Sequence, residues 1–279
     1  MNVFFTQNEL KKKLILKPQH IGFVPTMGAL HEGHLALVKK SLEENETTVV
    51  SIFVNPTQFN NAKDLEKYPR TLETDVEKLM NVSKDILVFA PNVSDIYADK
   101  IVSQNYDFDG IEHEMEGKFR PGHFDGVGTI VKKLFEIVTP KNAYFGEKDF
   151  QQLQIVKKLV EKQRLLVNII GCPIYREKNG LAMSSRNERL SENERENAKI
   201  IYETLINVKN NFGIKNVSEI NQEVINVFDK QGDFELEYFT IADENSLKDF
   251  TNFDKNLKYR AFIAVFVKNI RLIDNISLN

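Results

Sequence analysis

IGFVPTMGALHEGHLALVKKS, running from Ile21 to Ser41, reads as a short strand, a glycine-bearing turn and the start of a helix. Ile21, Phe23 and Val24 form an apolar run that Pro25 ends, and Leu30, Leu35, Leu37 and Val38 open a helical apolar pattern after Gly28. Such a turn can hold an anion, because the N–H groups of a helix start point at it and add the positive end of the helix dipole. Gly28 and Gly33 remove side chains where a phosphate must come close. His31 and His34, three residues apart, would share one helical face and donate to the same polyphosphate. The dinucleotide fingerprint G-x-G-x-x-G is absent, which argues against a nicotinamide enzyme. Gly28 and Gly33 do have P-loop spacing, but His34 and Leu35 stand where the lysine and the Ser or Thr belong, which argues against a Walker-type ATPase. A metal held by this pair is disfavoured: the histidines are three rather than four residues apart, with no evident third ligand nearby. Taken alone, the stretch also fits two histidines that only cap or pack.

Outward from the turn the chain alternates strands and helices. Apolar runs at Ile21–Val24, Val49–Val54, Ile86–Phe89, Ala143–Phe145 and Leu165–Ile170 are separated by helical patterns over Thr71–Met80, Phe124–Val138 and Asp149–Gln163. This alternation predicts an α/β fold with a Rossmann-like parallel sheet, ligands lying at the carboxyl ends of its strands. After Asn187 the character changes. Ser191 to Asn211 reads as a charged helix with Ser191 and Glu194 forming a capping box, and a second helix covers about Ser218 to Asp229. Phe234–Ile241 and Arg260–Val267 read as strands, followed by a turn into a third. The expected division is a Rossmann-like domain over residues 1–175 and a smaller α+β domain over 176–279, joined near Tyr175 to Asn179.

Bulk properties narrow the function. The 279 residues can bury a substantial core, and 37 basic against 40 acidic side chains leave a formal net charge of -3, with no basic surface for tRNA or DNA implied. No basic region followed by an apolar core opens the chain, and no apolar run of about 18 residues appears, so a soluble, cytoplasmic protein with no membrane contact is expected. The single cysteine, Cys172, excludes an internal disulfide and a multi-cysteine metal site, and its place between an apolar run and Pro173 reads as a buried strand-end thiol.

Further blocks accompany the turn: FVNPTQF at Phe53–Phe59, YPRT at Tyr68–Thr71, EGKFRPGHFDGV at Glu116–Val127, FGEKDFQQL at Phe145–Leu153 and REKNGLAMSSRN at Arg176–Asn187. PTMGALHEGH resembles the HIGH-type signature of the nucleotidylyltransferase superfamily. With these blocks in the same order, the chain resembles within that superfamily the AMP-forming pantoate–β-alanine ligase family. The resemblance implies ATP-dependent condensation of pantoate with β-alanine to pantothenate, AMP and pyrophosphate through a pantoyl-adenylate. It also implies ATP as substrate, Mg2+, only small-molecule partners and a homodimer. Its catalytic set would be His31, His34, Lys148 and Arg186. The ATP site would add Met27, Gly28, Ala29, Leu30, Glu32 and Gly33, then Gly146, Glu147 and Asp149, then Tyr175, Met183, Ser184 and Ser185. Pantoate would meet Gln58, Gln152, Asn55, Pro25 and Thr26, with Gln58 also near β-alanine.

The residue types suit that chemistry. Adenylation replaces a poor leaving group by AMP, and the negative charge that builds at the α-phosphorus and on pyrophosphate needs donors and cations. Lys148 follows a predicted strand. Ser184 and Ser185 offer hydroxyls, and Arg186 grips phosphate as a fork. Gly180 would let this loop close over ATP. Gln58 and Gln152 carry amides that donate and accept, as a hydroxylated carboxylate requires. Arg120 is a weaker candidate, and His123 beside Gly122 reads as a helix cap. Asp75 and Asp149 could reach magnesium, although Asp75 on its predicted helix reads as a solvated side chain. Asn60 and Lys63 depart from the family, which often has glycine and an acidic residue there. Two competing readings are another HIGH-type adenylyltransferase, which would release a dinucleotide, and a catalytically silent nucleotide-binding protein, against which the intact His31, His34, Lys148 and MSSR set stands.

Overall fold

Six strands pair in parallel: β1 (Val3–Phe4), β2 (Ile21–Thr26), β3 (Thr47–Ile52), β4 (Leu87–Phe89), β5 (Asn142–Gly146) and β6 (Asn168–Cys172), in the order β1-β4-β3-β2-β5-β6. The computed structural model describes residues 2–17, 20–59, 65–66, 68–98, 100–250 and 253–279; the departures at Asn60 and Lys63 lie outside them. Two compact units divide the chain, Met1–Glu147 with Gln151–Pro173 and Lys148–Phe150 with Ile174–Asn279, where the sequence suggested a break between 175 and 176.

In the first unit β2 lies at the centre, with Phe23 and Val24 fully buried, as the near-continuous apolar runs of a parallel sheet covered on both faces require. Helix α1 (Gln7–Leu14) precedes β2, and α2 (Glu32–Glu44) follows it. Gly22 is what lets α2 close on β2: a Cβ there would sit 2.2 Å from Ser41 Oγ. Val24, Leu30, Val38, Val50, Leu79 and Val88 share one core cluster, and burying each side chain contributes about 1.5–3 kcal/mol. From β2 the chain passes to β3 on one side and later enters β5 on the other, so the carboxyl end of β2 is a topological switch point, where open α/β sheets bind ligands. Helices α3 (Leu72–Val82), α4 (His123–Val138) and α5 (Phe150–Gln163) complete the alternation.

The second unit has helices α6 (Lys199–Asn211) and α7 (Val217–Phe228) and an antiparallel sheet of β7 (Phe234–Asp243), β8 (Tyr259–Val267) and β9 (Ile270–Ser277), in that order. Ile201, Leu205, Val224, Ile263 and Val265 form part of its own core.

Two expectations are corrected, and one strand is added. The strand read at Leu165–Ile170 begins only at Asn168, because Arg164 (φ +52°) ends the helix and the following apolar residues form a loop with Leu166 99% exposed. The helix read over Ser191–Asn211 is two, Glu192–Asn197 and α6, parting at Ala198; Ser191 and Glu194 do form the capping box. The strand β1 was not anticipated. No helix among the described residues is long and apolar enough to cross a membrane.

Candidate active site

At the end of β2 the Thr26 hydroxyl donates to Ser51 O (2.7 Å) and accepts the Gly28 N–H (3.2 Å). Gly28 (φ +85°) and Ala29 (φ +50°) then adopt left-handed conformations in succession, which for the alanine costs on the order of 1–3 kcal/mol. Asp75 holds them. From α3 its fully buried carboxylate accepts Ala29 N–H (2.9 Å), Leu30 N–H (2.7 Å) and the Thr71 hydroxyl (3.1 Å). Lys78, three residues along α3, donates to Leu30 O at 2.6 Å. Asp75 is therefore not the solvated side chain expected of it. It lies on the stripe of α3 that also carries the buried Val76 and Leu79, where backbone donors take the place of water around its oxygens.

His31 follows as an extended residue (φ −133°, ψ 175°), and His34 is the third residue of α2. The pair meets as expected, though across a helix start rather than on one helical face, with ring centroids 4.1 Å apart. His31 N–H donates to His34 Nδ1 at 3.3 Å. A ring nitrogen that accepts fixes the neutral imidazole's proton on the other, so His34 offers an Nε2–H donor. The amides of Gly28, Ala29 and Leu30 are already taken, and Leu30 is in the core with both backbone polar groups engaged. An anion would instead meet the amides of Glu32 and Gly33, which helix geometry leaves without an intrahelical acceptor.

A buried polar cluster lies beside this turn. Gln58 Nε2 points at Met27 Sδ, 2.7 Å away, and Gln58 Oε1 accepts from Asn55 Nδ2 (3.2 Å). Asn55, 1% exposed, also donates to Gly126 O (3.1 Å) and accepts from Tyr97 Oη (2.5 Å) and Thr57 Oγ1 (3.2 Å). Gly126 is required here, since a Cβ would lie 2.3 Å from Thr57 O. His123 is the first residue of α4 rather than its cap, which is Gly122 without a side-chain cap bond; its Nδ1 lies 2.8 Å from Gln58 O, which Arg120 also reaches at 3.2 Å. Pro25 is half-buried in β2. Gln152 is half-buried in the first turn of α5. Its neighbour Gln151 is buried and structural, donating to Ile111 O (2.8 Å) and Glu114 O (2.7 Å). Tyr97 and Thr57 escaped the sequence reading; only their closeness to Asn55 in space reveals them.

Gly146 ends β5, Glu147 follows it in the first unit, and Lys148 and Asp149 belong to the second. Lys148 Nζ is 3.6 Å from the half-exposed Asp149 carboxylate. The segment from Tyr175 to Met183 forms a hairpin, with Met183 N–H donating to Tyr175 O (2.9 Å) and Arg176 bridging Ala182. Tyr175 itself is 42% exposed. Gly180 (φ +95°) serves this turn, and a Cβ there would meet the Tyr202 ring at 2.6 Å. Ser184 Oγ accepts the Arg186 N–H (3.2 Å) and starts the single turn Ser185–Arg189. Asn187, 1% exposed, ties that turn to Glu177 Oε1 (2.6 Å) and Ala182 O (3.1 Å). At the base of the hairpin Arg176 pairs with Asp274 through two bonds (2.6 and 3.0 Å); burial raises the Asp274 carboxyl pKa, while Arg176 opposes the rise. Cys172 is buried at the end of β6, and burial pushes its thiol up to about 11, which removes it as a nucleophile.

A parallel sheet with a histidine pair on the turn at its switch point is the arrangement of an α/β protein of the HIGH type. The model of the family described as pantoate-beta-alanine ligase matches residues 2–277. The pantothenate synthetase of Flavobacterium psychrophilum is 60% identical over 281 residues, covering 100% of both chains. Among solved structures, the pantothenate synthetase of Thermus thermophilus has a TM-score of 0.90 at 37% identity, covering 100% of this chain and 99% of that one. The pantoate–β-alanine ligase of Francisella tularensis, solved in complex with β-γ ATP and β-alanine, has a TM-score of 0.82 at 37% identity and covers 100% and 98%. The chain belongs to the pantoate–β-alanine ligase family. Its activity is that of a ligase of pantothenate biosynthesis.

Proposed function

We propose that the chain condenses pantoate with β-alanine in two ATP-driven half-reactions. The pantoate carboxylate attacks the α-phosphorus of ATP, forming pantoyl-adenylate and expelling pyrophosphate; the neutral amine of β-alanine then attacks the acyl carbon and AMP departs, leaving pantothenate. The observation that carries this reading is the clamped turn at the switch point, whose paired His31 and His34 and helix-start amides would stabilise charge that develops on phosphate. His31, Lys148 and Arg186 share that task, with the segments Met27–Gly33, Gly146–Asp149, Tyr175 and Met183–Ser185 lining the nucleotide. Gln58, Asn55 and Gln152 orient pantoate's hydroxyls and carboxylate. Gln58 is supported by its bonds to the buried Asn55 and its contact with Met27, which hold the amide in one orientation. Pro25 and Thr26 supply the floor, the Thr26 hydroxyl being engaged with Ser51 and Gly28.

Magnesium fits this site as a cation carried on the nucleotide. Among the described residues no group of three or more His, Cys, Asp or Glu could hold a metal, and the Asp75 oxygens are spent on the turn. Phosphate-borne Mg2+ needs only one or two carboxylates, and Asp149 fits that demand. When bound it supplies charge neutralisation of the polyphosphate. The same reading takes the chain as a cytoplasmic homodimer, supported by the family resemblance.

The order of chemistry is tested by isotope exchange. With pantoate, ATP and magnesium but no β-alanine, the enzyme should exchange labelled pyrophosphate into ATP. Exchange that appears only once β-alanine is added would overturn the adenylate route.

A further inference from the structure

Two neighbouring residues of β9, Asp274 and Asn275, reach the two segments of the second unit that carry Lys148 and Arg186. Both are buried, at 4% and 1% exposure. The Asp274 carboxylate grips Arg176 at the base of the hairpin leading to Met183–Arg186, and Arg176 also donates to Gly180 O at its tip (3.0 Å) while its guanidinium lies 3.8 Å from the Tyr202 ring centre. The Asn275 amide donates to the Lys148 carbonyl (2.9 Å) and accepts from Arg260 Nη1 (2.6 Å). Arg260 in turn stacks on Phe150, two residues past Lys148, at 3.9 Å, and pairs with Glu244 at 2.8 Å. The Lys148 backbone is thus held at its own carbonyl and through its neighbour Phe150, and the loop of Arg186 is held through Arg176.

We infer that Asp274 and Asn275 are positioning residues for the ligase reaction, one dipeptide of the last strand fixing the spacing between Lys148 and the Ser184–Arg186 loop. The inference rests on the reading of Lys148 and Arg186 as phosphate ligands. A catalytic cation displaced by about 1 Å costs up to roughly 100-fold in rate, and the Asn275 side chain is the contact that ties the Lys148 carbonyl to β9. No local pattern in the sequence announces the pair, because the bonded partners are 98 and 127 positions away.

The test is a double-mutant cycle on the full-length enzyme. Asn275→Ala should lower the rate of pyrophosphate exchange at saturating ATP and pantoate by about 10-fold or more, leave the KM for β-alanine in the full reaction unchanged, and have no further effect in a Lys148→Ala background. Asn275→Ser, whose hydroxyl is one bond too short to reach the Lys148 carbonyl, should behave likewise and serves if the alanine variant does not fold. A folded Asn275 variant with an exchange rate within about 3-fold of the parent would overturn the inference, as would an equal loss in the Lys148→Ala background; both leave the reading of Lys148 intact. An unimpaired Lys148→Ala enzyme would overturn that reading itself, and this inference with it.

Discussion

Replacing Asp75 by alanine removes the acceptor of three hydrogen bonds, from Ala29 N–H, Leu30 N–H and the Thr71 hydroxyl. A hydrogen bond to a charged group is worth about 1.5–3 kcal/mol, and a buried donor left unpaired costs about 1–3 kcal/mol. The Thr71 hydroxyl is exposed enough to turn to water, so the loss falls on the two amides. Some of it is recovered, since deleting the carboxylate opens room for water beside them. The net is a loss of roughly 2–4 kcal/mol, against a total stability of about 5–15 kcal/mol. Asp75→Ala should therefore stay folded with its melting temperature lowered by about 5–15 °C. Activity should suffer more than stability. Without the carboxylate the φ of +50° at Ala29 loses the acceptor of that residue's own N–H, and relaxation there moves His31 and His34; a shift of about 1 Å predicts a loss of about 100-fold in kcat. Asp75→Asn separates charge from shape, because its amide oxygen can accept only one of the two N–H groups and its NH2 faces the other. It should melt between the parent and the alanine variant and remain impaired in turnover. Thermal melts and pyrophosphate exchange on the same preparations decide the matter. Parental melting and exchange in Asp75→Ala would refute the claim that this carboxylate holds the turn.

His34→Ala should lower kcat by about 100-fold or more, the cost of a lost oxyanion-type donor, with its melting curve unchanged; near-normal turnover in that variant would take His34 out of the mechanism. Tyr144, on β5, predicts a pH effect on stability. Burial pushes its phenol up to about 12, so the folded state keeps a proton that the unfolded state releases near pH 10. Its contribution to stability is complete below the unfolded value and is lost as pH rises from about 10 towards 12. Denaturant melts of the parent and Tyr144→Phe should show the smaller loss over that window in the variant, and identical slopes would contradict the assignment.

The parallel sheet was legible because its strands are short apolar runs set between helical periods. The antiparallel unit was legible from helices followed by strands. What escaped lacked a local signal. β1 is two residues long and exists only through its register with Val88 and Phe89, and Leu165–Val167 is as apolar as a strand but is turned into a loop by Arg164. The site divides the same way. The proposed roles of His31, His34, Lys148 and the MSSR loop came from blocks that resemble the family, whereas Asp75 needed burial to be read correctly. A signal was there: it shares an apolar stripe with Leu72, Val76 and Leu79, where a carboxylate must find donors. Tyr97, Thr57, Asp274 and Asn275 had none, since their partners come from distant positions in the chain.

A buried carboxylate beside the proposed polyphosphate site is at first sight unfavourable, because like charges repel strongly where water is excluded. The geometry answers this. Asp75 accepts two backbone N–H groups and a hydroxyl, and the Lys78 ammonium reaches the same turn through Leu30 O. Its negative charge is thereby met by donors on the side facing the turn. The donors that a phosphate would meet are different ones: the amides of Glu32 and Gly33, and the Nε2–H that the His31 amide fixes on His34. The same ten-residue stretch therefore separates two tasks by atom rather than by residue. Its first amides are spent on holding Gly28 and Ala29 in a conformation they would not otherwise keep, so that its later groups are aimed before any ligand arrives and need little reorganisation as charge develops.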